Sequence, residues 1–169
     1  MFPVVIESDY TREHIPAARP YKMKKPSEKK RTAQPAIQYT IVPKDLAAHL
    51  FNVTVTVAAP DPEGQVFALP AWIPGSYMIR EFARNIVRIR AESGGQDVPL
   101  AKLDKHSWRA ARTSGPLTVH YEVYAWDLSV RAAHLDQTHG FFNGTSVFLR
   151  VVGQEALSQQ VDIQRPGDP

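Results

Sequence analysis

The sequence predicts an all-β fold, an antiparallel β-sandwich, and three observations predict it. Apolar and polar residues alternate with a period of two in several separate stretches. Those stretches are short and end at clusters of Gly, Pro or Asp. No stretch sustains the 3.6-residue period of an amphipathic helix, so layered sheets are the architecture that buries the apolar positions.

The elements follow in order. Residues 1–35 read as a basic leader without a sustained period, and residues 21–31, YKMKKPSEKKR, read as disordered by like-charge repulsion and a lack of aliphatic residues. Ile37, Tyr39 and Ile41 alternate with Gln38 and Thr40, the first strand. Leu50 to Val57 is the second, with Val53, Val55 and Val57 on one face and Asn52, Thr54 and Thr56 on the other. Pro60-Asp61-Pro62-Glu63-Gly64 is a turn, and Val66 to Leu69 is a short strand stopped by Pro70. Met78, Ile79, Phe82 and Ile86 suggest one helical turn at most. Arg84 to Glu92 then alternates Val87, Ile89 and Ala91 with Arg88 and Arg90, ending at Ser93-Gly94-Gly95. Leu117 to Val123 alternates again, and Ser146 to Val152 and Gln160 to Gln164 complete the strands. The folded domain is therefore expected over 36–165, with 166–169 as the start of a linker.

The charge sits in the leader: residues 1–31 hold eight Lys/Arg against four Asp/Glu, whereas 32–169 hold twelve against thirteen. A basic leader suits nucleic acid or an acidic membrane, but no aromatic interleaving or folded basic face accompanies it, so we expect neither partner. The chain has no cysteine, which excludes a disulfide framework and thiolate metal sites. No signal-peptide pattern and no apolar run of about 20 residues is present, and a cytoplasmic location is expected.

Two stretches concentrate functional side chains. Residues 72–85 bring together Trp72, Tyr77, Arg80, Glu81 and Arg84 around a Pro74-Gly75 turn. An arginine fork suits a carboxylate such as a peptide terminus, and the aromatics suit a cleft wall or a domain interface. The plainer reading pairs Glu81 with Arg80 or Arg84 and plugs one end of the sandwich with the rings; spacing alone favours it. Ser76 lacks the G-x-S-x-G frame of a nucleophile elbow. The second stretch carries Trp126 and Arg131, then Phe141 and Phe142 before Asn143-Gly144. Unless self-buried, that aromatic pair makes a patch that needs a partner. Asn143-Gly144-Thr145 matches a glycosylation sequon, which without a secretion signal reads as coincidence. His134, Asp136 and His139 are metal-type ligands, but two histidines on one helix need an i, i+4 offset and these stand at i, i+5. Loop or strand-end histidines are the reading adopted, and no metal site is expected.

Three strings, LPAWIPGSYMIREFARNI at 69–86, LDKHSW at 103–108 and VHYEVYAWDLSVRAAHLDQTHGFFNGTSVFL at 119–149, resemble the N-terminal domain of the glycyl aminopeptidase family of zinc metallopeptidases. The resemblance covers roughly 36–165. It implies a β-rich N-terminal domain that precedes a thermolysin-like catalytic domain and a PDZ module. Zinc, its His-Glu-x-x-His ligands and the general-base Glu belong to the catalytic domain, and this chain has no His-Glu-x-x-His. A fragment or excised domain is thus expected, without cofactor or aminopeptidase activity of its own. Its expected partners are the parent's catalytic domain and, in that setting, a peptide substrate. The rival reading is a stand-alone β-sandwich module that binds a peptide or protein.

Overall fold

The structure, a computed structural model, describes residues 35–167 together with Val4–Val5. Thirteen strands and two short helical turns occur among these residues. They are β1 (Val4–Val5), β2 (Ile37–Asp45), β3 (Leu50–Val57), β4 (Val66–Ala68), a 3-10 turn (Phe82–Asn85), β5 (Ile86–Ser93), β6 (Gln96–Val98), β7 (Leu100–Lys102) and β8 (Ser107–Ala110). They continue with β9 (Leu117–Tyr124), β10 (Ala133–Leu135), β11 (Gly140–Phe142), α1 (Gly144–Val147), β12 (Arg150–Val151) and β13 (Gln159–Ile163). The expected all-β class holds.

Six strands form the large sheet in the order β13-β2-β3-β9-β5-β6. Register places Tyr39 beside Val55, Val55 beside Val119, and Val119 beside Ala91, one apolar row across four strands. Because side chains alternate faces, fixing one row fixes the whole inner face. The outer face carries Gln38, Thr56, Thr118 and Glu92 in the adjacent row. A four-stranded sheet, β12-β4-β8-β7, supplies Phe67, Trp108, Ala110 and Val151 to the same core cluster as Val53, Val55, Tyr121 and Val123. Two buried hydroxyls join the layers: Tyr39 donates to the Leu149 carbonyl at 2.8 Å and Tyr121 to the Val147 carbonyl at 2.8 Å.

A small third sheet, β1-β11-β10, sits at one end and feeds Ala133, Leu135 and Phe142 into the core. Val4 and Val5 of the leader pair with Phe142 and Phe141, which departs from a leader disordered throughout; the rest of that expectation lies outside the described residues.

Three further expectations change. The pairing is not wholly antiparallel, because β13 runs parallel to β2. Ser146 to Val152 is not one strand. The Asn143 side chain accepts from the Thr145 N–H and caps the turn α1, leaving Arg150–Val151 extended. Val87 does not face inward with Ala91, because a bulge between Ile86 and Arg88 shifts the register and turns it to solvent.

Candidate functional site

Two loops meet at the end of the sandwich where β9 leaves the large sheet. The first, residues 69–81, is clipped by its own polar groups. The Ser76 hydroxyl donates to the Met78 carbonyl at 2.9 Å and accepts from Arg80 Nε at 3.2 Å, while Trp72 Nε1 donates to the Ser76 carbonyl at 2.7 Å. Ser76 is therefore a buried fastener of the turn, bonded to backbone and arginine, not to a base. Arg80 and Glu81 both donate their N–H to the Ala71 carbonyl, and this convergence holds Glu81 at φ 47° and ψ 57°. Left-handed backbone at a residue with a Cβ costs about 1–2 kcal/mol and persists only where the surroundings impose it.

The second loop, residues 125–132, is fixed by Asp127, which accepts from the Ser129 N–H at 2.8 Å. Arg80 Nη1 lies 3.6 Å from Asp127 Oδ2 and ties the loops together. Arg131 reaches the other side of the junction, where a Cβ on Gly75 would lie 3.9 Å from its guanidinium. Glu81 pairs with Lys105 at 3.0 Å, and not with Arg80 or Arg84 as the plainer reading of the sequence had it. Trp72, Tyr77, Met78 and Ile79 from the first loop stay exposed, as do Trp126, Leu128 and Val130 from the second. Tyr77 has no side-chain burial at all, at 104% relative exposure.

Beside this junction opens a cleft of about 570 Å³ lined by Arg84, Asn85, Tyr124, Trp126, Asp127, Leu128, His134, Asp136 and His139. Its rings Trp126 and His134 belong to a stack: His49 stacks on Trp126 at 3.8 Å between centroids, and Trp126 on His134 at 4.7 Å. Phe141 lies 5.9 Å beyond His134. His134 Nε2 stands 3.1 Å from Asp136 Oδ2, and His139 Nδ1 stands 3.3 Å from Asp136 Oδ1. The Thr138 hydroxyl, the His134 ring and the His139 and Thr138 N–H groups hold the Asp136 carboxyl well below the usual carboxylate range.

Trp72, Tyr77, Arg80, Glu81 and Arg131 thus gather at the loop junction, and Arg84 and Trp126 line the cleft beside it. Phe142 belongs elsewhere: it is buried against Phe51 and Phe148, so it is core and not an exposed partner surface. Phe141 is half-buried beside His134. Sequence reasoning set aside His134, Asp136 and His139 by a helical rule. They lie on a β-hairpin, where an i, i+5 separation across the turn brings the rings to 5.0 Å. Missing altogether was Asp127, whose acidic side chain next to Trp126 was the available signal.

The fold is a β-sandwich whose loops expose apolar side chains at one end. The chain belongs to the Peptidase M61 N-terminal domain family, whose model matches residues 38–169. It is similar to the aminopeptidase N family protein from Idiomarina loihiensis, known from a crystal structure, at 49% sequence identity and a TM-score of 0.75. The match covers 78% of this chain and 22% of that one, so the chain spans about a fifth of the length of that protein. A comparison with curated proteins finds no match.

Proposed function

We propose that this domain packs on the catalytic domain of a zinc-dependent aminopeptidase and lends one wall to its peptide cleft. The carrying observation is the loop junction. Two loops held by Arg80 and Asp127 present Trp72, Tyr77, Met78, Ile79, Leu128 and Val130 to solvent at one end of a domain whose remaining apolar residues are mostly buried. Exposed apolar groups concentrated in this way are the mark of a surface that a partner covers. Fixing both loops before the partner arrives lowers the ordering cost of docking.

The peptide-facing role falls to the neighbouring cleft, where Arg84 and Trp126 offer a cation and an exposed indole edge. Hydrolysis itself belongs to the catalytic domain, where zinc would polarise the scissile carbonyl and activate water. The resemblance adds a PDZ module to the same parent, and the absence of cysteine fits the cytoplasm.

The test joins this chain to the Idiomarina loihiensis protein expressed without its matching segment. The 169-residue chain should bind that remainder, and the triple variant Tyr77→Ser, Met78→Ser, Ile79→Ser should bind at least about tenfold more weakly, since central apolar contacts carry most interface energy. Binding that the triple variant leaves intact would refute the loop junction as the docking face. Glycyl and alanyl substrates should turn over with the remainder present and not with this chain alone.

A further inference from the structure

We propose that His134, Asp136 and His139 form a binding site for a borderline divalent transition metal such as zinc, on the hairpin of β10 and β11. The inference stands on the hairpin's geometry and does not depend on the docking role above.

The hairpin puts the three side chains together. His134 and Asp136 are two residues apart along extended chain and so project to one side. Asp136 and His139 face each other across the turn, because the Asp136 N–H donates to the His139 carbonyl at 2.9 Å and the His139 N–H donates to Asp136 Oδ1 at 2.9 Å. One ligand atom from each residue lies within 4.8 Å of the other two. Around zinc at its usual bond lengths, tetrahedral ligand atoms are roughly 3.3 Å apart. The His134 Nε2–Asp136 Oδ2 pair at 3.1 Å already has that spacing, and the His139 ring, now 3.3 Å from Oδ1, must move closer to Oδ2 and to His134.

The two carboxylate oxygens divide the work. Oδ1 accepts from the Thr138 N–H, the Thr138 hydroxyl and the His139 N–H, and so secures the turn. Among the described residues Oδ2 meets only His134, and it is the oxygen left for a cation. His134 is held rigid: it is 3% exposed and lies between Trp126 and Phe141. His139 is half exposed, which leaves an entry path and a fourth position facing the cleft. Imidazole and carboxylate together suit zinc, cobalt and nickel better than magnesium or calcium.

One observation limits the strength of the site. His134 Nδ1 is buried with no hydrogen-bond partner among the described residues. Metal on Nε2 displaces the proton shared with Asp136 and leaves the ring as the Nδ1–H tautomer, whose N–H then lacks an acceptor. Metal-bound histidines normally have one, and losing it weakens binding roughly 10–100-fold. A reversible site is therefore expected, not a structural one.

The test titrates zinc chloride calorimetrically into the full 169-residue chain, previously stripped with chelator, at pH 7.5. One zinc per chain should bind, and the melting temperature should rise with zinc and return with EDTA. His139→Ala removes an exposed ligand, and Asp136→Asn keeps an oxygen for the turn while losing the charge. Each should weaken binding at least about tenfold, because losing only a hydrogen-bond partner of a ligand costs that much and a direct ligand costs no less. His106→Ala, which removes an exposed histidine 3.8 Å from Asp104, should leave binding unchanged. No saturable uptake by the unaltered chain would overturn the proposal. So would an affinity that is unchanged in either His139→Ala or Asp136→Asn.

Discussion

Tyr121 carries two polar duties inside an apolar layer. Its hydroxyl donates to the Val147 carbonyl at 2.8 Å and accepts from the Leu149 N–H at 3.1 Å, so it satisfies both groups of a segment that has just left a helical turn. Tyr121→Phe keeps the ring and strands both groups, which should cost about 2–3 kcal/mol in a denaturant titration. Burial raises the phenol of Tyr39 to about 12 and that of Tyr121 upward as well. Both rings favour the protonated form in the folded state. The folded chain therefore binds more protons than the unfolded chain above about pH 10, the ordinary phenol value, and its stability falls as pH rises from there toward 12. The alkaline decline should be shallower in Tyr39→Phe than in the unaltered chain, measured as the denaturation midpoint against pH.

At the scale of the element, identical chemistry has opposite consequences on β3 and β5. Val55 is fully buried in the shared row, whereas Val87 is 53% exposed beyond its bulge. Val55→Thr puts a hydroxyl into the core and should lower stability by about 1–3 kcal/mol. Val87→Thr should stay within about 0.5 kcal/mol, as surface changes do. Equal losses in the two variants would mean that the bulge is misplaced. The same contrast explains what the sequence could reveal. β2, β3 and β9 are legible because they cross the middle of the large sheet with one wet face, and solvent writes the alternation. β10 is buried at all three residues, so Ala133, His134 and Leu135 show no period to read. The parallel placement of β13 beside β2 is set by long-range packing, and nothing within Gln159–Ile163 announces its direction. Ser146 to Val152 carries apolar residues that a strand would also use, while the cap at Asn143 turns its first residues into α1.

Across the whole molecule, the candidate site was legible as segments and not as an arrangement. Both aromatic-rich loops stood out from composition, but the bond that joins them links Arg80 to Asp127 across the intervening strands. No local pattern encodes such a contact. The histidine hairpin was visible as a spacing and lost to the wrong periodicity, because an offset acquires meaning only once the element beneath it is known.

The three tryptophans occupy three unlike settings, and that distribution makes the chain its own reporter. Trp108 is buried, with the Lys102 ammonium 4.9 Å from its ring centre, and Trp72 is half exposed. Trp126 alone is sandwiched between two imidazoles. An occupant of the cleft that Trp126 lines should therefore change the fluorescence of Trp126 and spare that of buried Trp108. In Trp126→Phe that occupant-sensitive share of the emission should vanish, giving a light signal confined to the cleft wall.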